Sequence, residues 1–206
     1  MSGEPVKRRY ESPARRASAH ATREAICQAA EDLFTRDGYA RTSIRAVAAR
    51  AGVSEATVYL AFPNKPVLLD ATILRAIRTS GSEPLSQIAD LPAGELLPRL
   101  ASSTAAIMRR AARLISIGES AAAIDAELRP VRDRAYERVR SATRAIADRL
   151  HDEGMLRDGM SGQAAGDALY AIANPTTYLR LVEDCGLPPA RFAPWLTATT
   201  EAALLG

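Results

Sequence analysis

Apolar residues recur along this chain at intervals of three and four and almost never in alternation, so the pattern is helical throughout. Ile26, Ala29, Ala30, Leu33 and Phe34 form one stripe, predicting a first helix from Ala19 or Thr22 to Arg36 that Gly38 ends. Ile44, Val47, Ala48 and Ala51 predict a short second helix. Gly52 supplies the freedom a sharp turn needs, and Val53 plugs the gap beneath it. Ser54 can cap a third helix, whose Val58 returns to the same core. Asn64 can cap a fourth, with Pro66 tolerated in its first turn and Val67, Leu68, Ala71, Leu74 and Ile77 carrying it to about Thr79.

Beyond that point the pattern breaks at 80–84 and again at 92–94, leaving a loop or a short helical turn between. Helices are predicted at roughly 94–117, 119–128, 130–153, 161–184 and 189–205. The clearest stripe is Val131, Ala135, Val139, Ala142, Ile146 and Leu150. The expected fold is all-α, with about nine helices. The last two helices are apolar on more than one side, and a second stripe asks either for a partner chain or for both faces to be buried within one subunit.

Ala48, Gly52 and Val58 suit two helices that cross closely at a tight corner, as in a helix-turn-helix whose second helix faces a DNA major groove. Thr42-Ser43 stands before the first of these helices, and Tyr59, Phe62 and Lys65 follow the second at fixed offsets. With Gly38-Tyr39 and Ala51-Gly52-Val53-Ser54, this segment resembles the DNA-binding domain of the TetR family of transcriptional regulators over about residues 22–70. Ala61 departs from the pattern, since the family commonly has His or Tyr before the Phe.

Ser54, Glu55, Ala56, Thr57 and Tyr59 lie on or near the outward face of the recognition helix. Glu55 can accept from a cytosine amine, or serve as an acid at a helix N-terminus; the Thr57 methyl can touch a thymine methyl. The resemblance puts Tyr59 and Lys65 at positions that contact the DNA backbone, and Lys65 also begins a helix whose dipole attracts anions. Thr42 and Ser43 can hold a phosphate, while Arg45 can reach a guanine edge or a phosphate.

The resemblance further implies a repressor of two parts. Residues 19–65 form the helix-turn-helix domain, and 66–206 a helical domain for effector binding and dimerisation. The last two helices would pair in a homodimer through Leu179, Val182, Phe192, Trp195, Leu196 and Thr199, placing two recognition helices on an inverted-repeat operator in double-stranded DNA. Met108, Tyr136, Thr143 and Tyr170 are adaptable or amphipathic side chains that can line an effector cavity or pack as ordinary core. Few charges fall at expected core positions, so a small, mostly apolar effector is expected.

Charge supports the placement of the DNA site. The 206 residues carry a net +3, but residues 1–66 hold 11 Lys/Arg against 7 Asp/Glu, a net +4, leaving −1 for the rest. Residues 1–18 have no periodicity and contain Lys7, Arg8, Arg9, Arg15 and Arg16, which reads as a disordered basic arm, either suited to phosphates or a minor groove or a solvated tail with no defined role. No apolar run is long enough for a bilayer and no secretory signal is present, so a cytoplasmic protein is expected. Cys27 and Cys185 lie far apart and His20 and His151 are isolated, which disfavours a metal site or a cofactor. No GxSxG, P-loop, HExxH or GxGxxG stands in a suitable context, so an enzyme is not expected. The competing expectation is an architectural or activating DNA-binding protein with no effector.

Overall fold

Side-chain caps define the first elements of the chain. The computed structural model describes residues 13–206. Helix α1 spans Pro13–Arg41 and is broken at Gly38, whose φ of 80° and ψ of 165° only glycine adopts without strain. Helix α2 (Ile44–Ala51) starts where the Ser43 hydroxyl accepts the Ala46 N–H at 3.1 Å. It ends at Gly52, left-handed at φ 69°, whose N–H returns to the Ala48 and Ala49 carbonyls. Ser54 then caps α3 (Glu55–Ala61) by accepting the Thr57 N–H at 3.1 Å. Asn64 caps α4 (Lys65–Arg78) by accepting the Val67 N–H at 2.9 Å.

Six further α-helices follow: α5 (Leu85–Ile88), α6 (Ala93–Ile124), α7 (Arg129–Asp152), α8 (Gly162–Ile172), α9 (Pro175–Leu179) and α10 (Phe192–Leu204). Among the described residues the extended structure is a single antiparallel bridge between Leu156 and Leu205. The all-α expectation holds.

Helix α6 is the spine. Its 32 residues run about 48 Å and enter three apolar cores. The first joins Ile26, Phe34, Val47, Val58, Phe62 and Leu68 to Ala111, Leu114 and Ala121 of α6. The second joins Ile88, Leu96 and Leu100 to Ile146, Leu150, Leu169 and Leu204. The third packs Ala105 and Met108 against Tyr178, Phe192 and Leu196. The core of the helix-turn-helix therefore continues through α4 into the rear of α6, across the position 65/66 where the sequence suggests a boundary.

Three elements differ from the sequence pattern, each for a local reason. The helices predicted at 94–117 and 119–128 join in α6 as far as Ile124, with 126–128 a separate 3-10 turn, because Gly118 serves packing and not a turn. A Cβ there would lie 3.0 Å from Ile73 Cδ1 of α4. The helix predicted at 161–184 breaks at Asn174-Pro175, where Pro175 has no N–H to continue the ladder and Asn174 caps a new turn. A wide π-type turn, Arg180–Asp184, closes that segment. At the N-terminus, residues 13–18 were expected in the basic arm but belong to α1; the remainder of the arm, 1–12, lies outside the described residues.

Gly52 offers a clean test of the corner. A Cβ there meets nothing within 4 Å, so Gly52→Ala strains only the left-handed backbone. Urea unfolding is expected to show a loss of about 1–2 kcal/mol.

Candidate nucleic-acid interface

Helix α3 buries Val58 and Phe62 and turns its other side outward. Glu55 and Ala56 are exposed, Thr57 is partly so, and Tyr59 is half exposed. The Ser54 hydroxyl is occupied by its cap and by a 2.9 Å hydrogen bond with the Thr57 hydroxyl. That pair fixes the Thr57 hydroxyl, and the side chain borders the groove beside the start of α1. Arg45 on α2 is exposed and has no ion-pair partner among the described residues. Ser43 is exposed, and while its oxygen accepts from Ala46 it keeps its own proton to donate.

Thr42 corrects the expectation drawn from sequence. It is buried, and its hydroxyl donates to the Gly38 carbonyl at 2.9 Å. It serves the turn after the Gly38 break and is not presented to a phosphate.

Lys65 is held in place from two sides. Its ammonium sits 4.2 Å from the centroid of the Tyr39 ring and donates to the Ala40 carbonyl at 3.4 Å. Burial lowers its pKa from the ordinary lysine value, opposed by the Asp125 charge. Tyr39 in turn donates its hydroxyl to Asp125 Oδ2 at 2.9 Å, and burial with that bond raises the phenol pKa. A continuous set of contacts thus runs from the C-terminal end of α6 through Tyr39 to Lys65.

Further along, a buried ionic cluster ties the same elements together. Glu31 on α1 accepts from Arg75 of α4 at 3.0 Å and from Arg110 of α6, whose Nη2 lies at 2.9 Å. Arg75 also donates to Glu24 at 2.8 Å, and Arg78 pairs with Glu24 as well. The Glu31 bond raises the Arg110 pKa. On the other side of α1, Asp32 accepts from Arg50 of α2 at 3.0 Å, holding its carboxyl below the usual range. Arg23 lies 4.2 Å over the Phe62 ring and donates to the Ala61 carbonyl, bracing the end of α3.

Sequence reasoning missed Tyr39, Arg23 and the Glu31 cluster. A signal did exist, since Glu24 and Glu31 fall seven residues apart beside the apolar stripe of α1, where an acid needs a partner. What the spacing does not carry is the identity of that partner.

The residues expected to line an effector cavity are divided. Tyr136 of α7 and Tyr170 of α8 meet edge to face, with ring centroids 6.3 Å apart. Burial and the neighbouring Glu119 push the Tyr136 phenol up to about 12. Thr143 is buried, with its hydroxyl donated to the Arg140 carbonyl at 3.1 Å. Met108 packs instead in the third core with Tyr178 and Phe192. The described cavities lie elsewhere, one of about 460 Å³ between the end of α1 and α6, one of about 410 Å³ between the start of α1 and α3, and one of about 630 Å³ between 154–158 and the last two residues.

Of the six residues expected at a dimer interface, Phe192 and Leu196 are fully buried within the subunit. The Phe192 ring stacks on Trp195 at 5.8 Å and meets Tyr178 edge-on at 4.9 Å. Leu179, Val182, Trp195 and Thr199 keep part of their surface open. Among the described residues no group of three or more His, Cys, Asp or Glu is placed to hold a metal ion, and no helix is long and apolar enough to cross a membrane.

A capped, glycine-cornered helix pair with an outward second helix, pinned cations at its edge and an all-helical body has the form of a helix-turn-helix protein. Residues 26–72 match the model of the bacterial regulatory proteins of the tetR family. SmeT, the repressor of the multidrug efflux pump SmeDEF of Stenotrophomonas maltophilia, has a similar fold at 26% identity. The match covers 91% of this chain and 92% of that one, with a TM-score of 0.70. NalD of Pseudomonas aeruginosa, the secondary repressor of the MexAB-OprM multidrug efflux pump, aligns at 22% identity and a TM-score of 0.72 over 91% of this chain and 98% of its own. A choline complex of a putative transcriptional regulator from Saccharomonospora viridis shares the fold at 19% identity and a TM-score of 0.72, over 91% and 99% of the two chains. No curated protein matches the sequence. Over residues 26–72 the chain thus resembles the tetR family, and over about nine-tenths of its length it shares the fold of these solved regulators.

Removing the central acid of the ionic cluster tests its weight. Glu31→Ala leaves two guanidinium groups partly desolvated, and urea unfolding is expected to show a loss of about 2–3 kcal/mol.

Proposed function

We propose that the protein is a homodimeric repressor that binds a palindromic operator through α3 and is released by a small, mostly apolar effector. The observation that carries this reading is the unbroken set of polar contacts between the DNA-facing end of the chain and α6. Asp125, Tyr39 and Lys65 form one branch, and Arg110, Glu31 and Arg75 the other. A regulator needs such a connection, because an effector shifts DNA affinity only by favouring one arrangement of the two parts.

In this reading Ser43, Tyr59 and Lys65 hold phosphates, Arg45 reaches a base edge or a phosphate, and Glu55, Ala56 and Thr57 face bases; Ser54 serves chiefly as the cap of α3. Helices α1 to α3 with the start of α4 form the DNA-binding part, and the later helices bind the effector and dimerise. Tyr136 and Tyr170 line the effector site, and Leu179, Val182, Trp195 and Thr199 meet their counterparts in a second subunit. The protein acts in the cytoplasm, where its DNA target lies.

The named relatives support repression. SmeT and NalD are repressors of multidrug efflux pumps, and SmeT forms a complex with triclosan, an apolar small molecule.

Selection of bound fragments from random duplexes tests the docking mode. The expected outcome is an inverted repeat with half-sites about one helical turn apart, bound by a dimer in sedimentation. A single unpaired half-site would overturn the twofold reading. A Lys65→Ala variant is expected to weaken all sequences alike and to lower the slope of log Kd against log salt by about one. A change in which sequence is preferred would instead make Lys65 a base reader.

A further inference from the structure

Leu60 is the most exposed large apolar side chain among the described residues, at 90%. It stands on the recognition helix, one turn beyond Ala56 and Thr57, so the three share a face. The groove beside it is lined by Arg15, Ala19, Thr22, Arg23, Thr57 and Ala61, so basic groups stand among small apolar ones. Arg23 braces the helix directly behind, through the Phe62 ring and the Ala61 carbonyl. A leucine held this far into water gains nothing from its own subunit.

The geometry points to Leu60 as a specificity-determining residue that reads a thymine by packing against its C5-methyl group in the major groove. This rests on the assignment of α3 as the DNA-reading helix and goes beyond it. In the major groove the apolar mark that distinguishes one base pair from another is that methyl group, while deoxyribose carbon is the same at every position. Basic groups flanking the face bring it against the duplex, and the neighbouring Thr57, fixed by Ser54, offers a second methyl to the same patch.

The test uses the full-length protein and duplexes recovered from random DNA. Each invariant thymine is replaced singly by deoxyuridine, which removes the methyl group and leaves every hydrogen-bonding atom in place. Wild-type protein is expected to lose about fourfold in affinity at one thymine in each half-site, the worth of one methyl group taken out of water. Leu60→Ala is expected to bind the thymine and deoxyuridine duplexes equally at that position while keeping wild-type discrimination elsewhere. Its thermal unfolding is expected to match wild type, because the side chain supports no core.

If Leu60→Ala retains the same thymine preference at every position, or if the recovered sites contain no invariant thymine, the inference is overturned and α3 still reads DNA. If neither protein retains any duplex at low salt, the assignment of α3 itself fails.

Discussion

The buried carboxylate of Glu31 carries the structural link between the two ends of this molecule. It takes guanidinium groups from α4 and α6 at once, and with Glu24 it draws Arg75 and Arg78 onto α1. Such a cluster adds little net stability over an apolar substitute of equal shape, because desolvation of the charges offsets most of their attraction. Its contribution is directional. Apolar side chains of α1, α4 and α6 slide past one another at little cost, whereas charge-assisted hydrogen bonds at 2.8–3.0 Å fix their relative position.

A second consequence concerns Lys65. A surface lysine is a flexible point charge, and ordering it on a phosphate costs side-chain entropy. Here the Tyr39 ring and the Ala40 carbonyl have already ordered it. Because Tyr39 is bonded to Asp125 at the end of α6, any shift of that end changes the seat of the ammonium. The geometry of α6 thus reaches the edge of the helix-turn-helix through three named side chains.

Much of the N-terminal architecture was readable before any coordinates. The caps at Ser54 and Asn64 and the left-handed Gly52 arise from interactions spanning two to four residues, and the residue types that make them are few. The same logic misled at Gly118, where a glycine read as a break instead admits the Ile73 side chain of α4. It also put Thr42 on the DNA-facing surface, because a threonine before a helix looks like a phosphate ligand until the Gly38 break turns its hydroxyl inward.

Phe192 and Leu196 show the limit most plainly. Their spacing says that this face of the last helix must be covered, and it is covered by Tyr178 and α6 of the same chain. Leu60 is the converse, an apolar residue that no part of the subunit covers. The sequence by itself determined the helical class, the corner at Gly52, the capped helix starts and the positive N-terminal end, because these depend on near neighbours and on composition. Tertiary structure alone decided that Glu31 meets Arg75 and Arg110, 44 and 79 positions away, and which apolar faces close on their own chain. Hydrophobicity and charge state that a partner is required, and only the path of the chain through space supplies it.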